Sequence, residues 1–77
     1  MSADLLARNA HISDAEILQD IADTEREIAT MQREAEGFAF FNDRWSDMRR
    51  QARISGIAER EQFIAKLREL LDARAKP

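Results

Sequence analysis

Seven residues, Ile17, Ile21, Thr24, Ile28, Met31, Ala35 and Phe38, recur at alternating steps of four and three. That spacing is the seam of an α-helix made to lie against another helix. It constrains the fold more than anything else in the chain, because a helix with one apolar edge must find a second element to cover it.

The start of this helix is marked as well. Ser13-Asp14-Ala15-Glu16 has the form of a capping box, with Ser13 accepting from the Glu16 amide and Glu16 placed to reach back to Ser13. Asp14 and Glu16 also suit the positive end of the helix dipole. The expected helix runs from Asp14 to about Glu36, and Gly37 offers a stop or sharp bend within 37–42; the alternative is a single helix from Asp14 to Arg53 that passes through the glycine. Upstream, residues 1–12 admit two readings: a short helix capped by Ser2 and carrying Leu5 and Leu6, or a loose terminus.

Two further helical segments are expected. Phe41, Trp45, Met48 and Ala52 repeat at helical spacing, which places a second helix near 41–53. Ile54-Ser55-Gly56-Ile57 reads as an interruption, with Ser55 capping and Gly56 closing. A third helix then spans 57–74, with Ile57, Phe63, Ile64, Leu67, Leu70 and Leu71 in a stripe wide enough for a bundle core. The expected fold is all-α: a single domain over 1–77, a hairpin or three-helix arrangement completed as a dimeric bundle.

Charge supports the fold-back. Residues 1–43 hold ten acids against three arginines, a net of −7; residues 44–77 hold nine bases against five acids, a net of +4. Two copies of the first helix side by side would set acids such as Asp20, Glu27 and Glu34 against one another, whereas the basic C-terminal helix complements them. A single hairpin leaves apolar residues such as Phe63, Leu70 and the central aromatics underburied, hence the expected dimer. A chain of 77 residues is marginal alone, and with no cysteine and one histidine, His11, disulfides are excluded and Cys/His zinc sites nearly so.

The same inventory argues against enzymatic chemistry. Ser2, Ser13, Ser46 and Ser55 read as caps or surface residues, His11 has no identifiable partner, and no glycine-rich phosphate loop or metal-ligand spacing is present. No cofactor is expected. No apolar run is long enough for a membrane span, and MSADLLARNA lacks a signal-peptide core, so the expected setting is cytoplasmic.

Two surfaces remain as candidates for contact. One is the acidic row Glu16, Asp20, Asp23, Glu27 and Glu34, which reads either as a solvated face or as a dock for a basic partner. The other is the aromatic–arginine centre: Phe40, Phe41, Arg44, Trp45, Arg49, Arg50 and Arg53. Tryptophan and arginine dominate the energetics of protein interfaces. Arginine beside an aromatic also suits stacked bases and phosphate, although the overall acidity of the chain disfavours nucleic acid. Phe38, Phe40 and Phe41 cannot all face one way on a helix, so at least one is exposed or buried only on association. The expected function is a non-catalytic protein-binding module such as an inhibitor, adaptor or assembly factor, with a nucleic-acid regulator using Arg44–Arg53 and a purely structural oligomer as alternatives.

Overall fold

The computed structural model describes residues 9–76, which form two helices in an antiparallel hairpin: α1, Asp14–Phe38, and α2, Arg44–Ala75. The particle is a rod of 53 × 21 × 17 Å. The N-terminal helix considered around Leu5 and Leu6 lies outside the described residues.

Helix α1 begins where its capping signal stands. Ser13 is extended (φ −75°, ψ 157°) and its Oγ accepts from the Glu16 amide at 3.1 Å. Every member of the four-three stripe then faces α2. Ile17, Ile21, Thr24 and Ala35 are buried, and Ile28, Met31 and Phe38 are partly so. Before the cap, Asn9 and Ile12 close a turn, and Ile12 packs on the cluster of Ile17, Ile21, Ile64 and Leu70 at the open end of the hairpin.

Gly37 does not stop α1. The helix runs through it to Phe38, and no described residue has a positive φ. Termination is a tightening of the last turn instead. The amides of Ala39, Phe40 and Phe41 donate to the carbonyls of Glu36, Gly37 and Phe38 in consecutive three-residue steps. The chain then becomes extended at Asp43 (φ −132°, ψ 159°), which caps α2 by accepting from the Ser46 amide at 2.8 Å and from its hydroxyl at 3.0 Å. The expected break at 37–42 is therefore present, but the second helix starts at Arg44 rather than at 41.

The three-helix expectation needs a larger correction. Segments 44–53 and 57–74 belong to one uninterrupted helix of 32 residues, and Ile54-Ser55-Gly56-Ile57 lies inside it. Gly56 is not a terminator. It faces α1 so closely that a Cβ there would collide with the Met31 methyl group. The Met31 methyl group occupies the space a side chain would take there, and a glycine in a helix interior costs only about 1 kcal/mol relative to alanine.

The seam of α2 explains why one helix suffices. Ser46, Arg53, Arg60, Leu67 and Arg74 recur every seven residues on the side turned to α1, beside Ile57, Ile64 and Leu71. Three of those core-row positions are arginines. Their stems cover the seam while their guanidinium groups reach acids of α1: Arg53 to Glu34 at 3.2 Å, Arg60 to Glu27 at 2.7 Å and Arg74 to Asp14 at 2.8 Å. On the other flank Arg68 meets Glu25 at 2.9 Å. Four ion pairs thus join the acidic half to the basic half, in the antiparallel register that the charge split implies. Leu70, expected to be underburied, is 2% exposed; Phe63 remains 45% exposed.

Candidate functional site

Because α1 ends at Phe38 and α2 begins at Arg44, the register set by Glu34–Arg53 and Glu27–Arg60 carries the first turn of α2 beyond the last turn of α1. No opposing helix covers it. Four large apolar side chains consequently face outward at this tip: Phe40 (89% exposed), Phe41 (64%), Trp45 (61%) and Met48 (55%). The stripe Phe41, Trp45, Met48 and Ala52 is helical in spacing, as expected, but it lies on the outer side of the hairpin rather than in the core.

Guanidinium groups are organised around these rings. Arg49 lies 5.0 Å from the centre of the Trp45 ring and 5.9 Å from that of Phe38; Arg53 lies 5.8 Å from the Phe38 ring. Such distances are within range of cation–π attraction. Arg44, Arg49 and Arg50 make no ion pair among the described residues, whereas Arg53 is committed to Glu34 through both Nε and Nη2. Of the seven residues singled out in the sequence, the structure gathers Phe40, Phe41, Arg44, Trp45 and Arg49 at the tip. Arg50 lines a shallow groove behind it with Phe38, Phe41 and Asp47. Arg53 instead belongs to the seam.

Asp43 holds the tip in shape. Hydrogen bonds from the Ser46 amide, then the Ser46 hydroxyl and the Trp45 amide, keep its carboxyl below the ordinary carboxylate range. Sequence reasoning passed over this residue, although an aspartate directly before a helical run and three residues before a serine is a capping signal.

The acidic row is divided. Glu27 and Glu34 are bridged to Arg60 and Arg53 of α2. Asp23 is bound by Arg26 and Gln19 of its own helix, and those hydrogen bonds hold its carboxyl below the usual range. Only Glu16 and Asp20 make no ion pair among the described residues, and both lie toward the open end. Two of the five, Glu27 and Glu34, thus belong to a flank of the hairpin seam, and Glu16, Asp20 and Asp23 stay exposed without an ion pair to α2 among the described residues.

Among the described residues no three His, Cys, Asp or Glu side chains are grouped so as to hold a metal ion, and no helix is long and apolar enough to cross a membrane. No protein-family model matches the chain, and no curated protein or solved structure is significantly similar to it.

Proposed function

We propose that this protein is a non-catalytic protein–protein interaction module, an inhibitor, adaptor or assembly factor, that binds its partner with the hairpin tip. The observation behind this reading is the concentration of Phe40, Phe41, Trp45 and Met48 at one end of the rod, beside three arginines without a carboxylate partner among the described residues. Exposed apolar patches of this kind mark contact surfaces, and aromatic and arginine side chains supply most of the energy in them.

The test compares the wild type with Phe40→Ala and Trp45→Ala. Immobilised protein is offered a nuclease-treated lysate, and retained proteins are identified by mass spectrometry while helix content is followed by circular dichroism. Loss of a retained protein at unchanged helicity supports the tip as the contact surface. Parallel loss of binding and helicity would make these residues ordinary structural ones. Retention that disappears with nuclease would favour the nucleic-acid alternative, in which Arg49 over Trp45 is a stacking platform.

The same reading includes a dimer that joins two hairpins into a four-helix bundle. What supports it is apolar surface that one hairpin leaves uncovered, with Phe63 45% exposed in addition to the tip aromatics. A well-folded monomer in sedimentation at high micromolar concentration would overturn this part.

A further inference from the structure

We propose that the partner presents an acidic amphipathic helix, which lies along the outer face of α2 over Trp45, Met48 and Ala52. This rests on the reading of the tip as a contact surface and adds to it the chemistry of what binds there.

Helix α2 carries a second seam at its start. Its first seam, through Ser46 and Arg53, faces α1; Trp45, Met48 and Ala52 follow one another at steps of three and four on the outer side. All three are exposed, and Trp45 (61%) and Met48 (55%) offer most of their surface. Written as a heptad they take the a, d and a positions, which a second helix covers by inserting its own side chains between them. The seam is short. Its next two positions are Ser55 and Glu59, so the apolar part runs for about 10 Å along α2.

Charge says which kind of helix fits. In the same heptad Arg44 stands at g and Arg49 at e, the positions that flank a seam and select its partner. The chain holds fifteen acids against twelve lysines and arginines, yet neither of these arginines has an ion pair among the described residues. The acids nearest in sequence are placed elsewhere. Asp43 gives its oxygens to the Ser46 amide and hydroxyl in the cap. Asp47 lines the groove behind the tip with Phe38 and Arg50, off the seam. Arg50 borders that groove and a second one with Glu36, so it adds nothing to the charge of the seam. Arg49 is held beside the seam by the Trp45 and Phe38 rings, at 5.0 and 5.9 Å from their centres. A helix with an apolar stripe bordered by carboxylates therefore covers Trp45 and Met48 and pairs with both flanking guanidinium groups. Helix α1 of a second copy does not meet this description, because its apolar edge is already buried on α2.

Trp45 is the only tryptophan, so its emission reports on the seam directly. The probes are two synthetic helical peptides with leucine at a and d, one with glutamate and one with lysine at e and g. The expected result is a saturable blue shift with the glutamate peptide, bound about tenfold more tightly than the lysine peptide, since two attractive pairs replace two repulsive ones. In a variant combining Arg44→Glu and Arg49→Glu the preference should reverse, with circular dichroism confirming an intact hairpin. Equal binding of both peptides, or a preference unchanged in that variant, would overturn the acidic helix. So would a shift produced by phosphatidylglycerol vesicles and by neither peptide, which would assign the tip to a lipid surface. Failure of both peptides, with a lysate protein still lost on Trp45→Ala, would overturn the acidic helix and leave the tip standing as a contact surface. Failure of both peptides with no lysate protein sensitive to Phe40→Ala or Trp45→Ala would overturn both.

Discussion

Arg60 and Glu27 are 33 residues apart in sequence and 2.7 Å apart across the hairpin. The same guanidinium donates to the Gly56 carbonyl at 3.2 Å, so one side chain ties α1 to the α2 backbone one turn upstream. Both side chains are partly exposed, which limits the pair to about 0.5–1 kcal/mol. Arg60→Glu sets two carboxylates together and is expected to lower stability in urea unfolding, while Glu27→Arg in the same chain restores most of the loss. A double variant no more stable than the sum of the singles would remove this pair from the register argument.

The two glycines are expected to respond differently to alanine. Gly37 is helical and exposed, and a Cβ added there would meet nothing within 4 Å. Gly37→Ala should therefore stabilise by about 0.5–1 kcal/mol through helix propensity. Gly56→Ala gains the same propensity but must displace the Met31 methyl group. It should be less stabilising than Gly37→Ala, and Met31→Ala in the same chain should narrow the difference. Equal effects at both glycines in thermal unfolding would mean that the Met31 methyl group moves aside at no cost.

Asp43 ties stability to acid. Its carboxyl titrates below the ordinary range because the charged form accepts hydrogen bonds from Ser46 and Trp45. A group with a depressed folded-state pKa contributes fully above the unfolded value, about 3.9, and its contribution is lost as pH falls through the folded value. Asp43→Ala should lower the melting temperature by a few degrees at neutral pH, and Asp43→Asn, which still caps, should lower it less. From about pH 4 downward the advantage of the wild type over Asp43→Asn should shrink progressively, and it should be gone once pH is below the depressed folded value. An advantage that does not change as pH falls below about 4 would contradict the role of the charged cap.

Burial separates neighbours on α1. Ile17 is fully buried and Leu18, the next residue, is 56% exposed. Ile17→Ala should cost about 2–4 kcal/mol, enough to unfold much of so small a hairpin. Leu18→Ala should leave helix content intact. Similar losses for both, measured by circular dichroism and urea titration, would mean that α1 is rotated from the orientation described.

Legibility followed the chemistry of the side chains. The seam of α1 was readable because its members are mostly aliphatic, and its start because Ser13 and Glu16 form a familiar pair. The seam of α2 was hidden because Arg53, Arg60 and Arg74 occupy core-row positions, where a hydropathy pattern counts them as polar although their stems lie in the interface. Ser55-Gly56 looked like punctuation because nothing local reveals that Met31 needs the space. The stripe of Trp45, Met48 and Ala52 has the period of a core face yet faces outward, since periodicity fixes a face but not what lies opposite it. The aromatic–arginine cluster was legible as composition; its location at the tip depended on where α1 stops.

The fold-back itself is the claim on which the tip, the seam and the charge pairing all depend. Spin labels at Gln19→Cys and Glu69→Cys, both exposed positions at one level of the hairpin, test it by pulsed electron resonance in excess unlabelled protein. The hairpin predicts a single short distance, of the order of the helix separation of about 8–10 Å plus the label arms. A separation of about 75 Å, as for one straight helix through both sites, would contradict it.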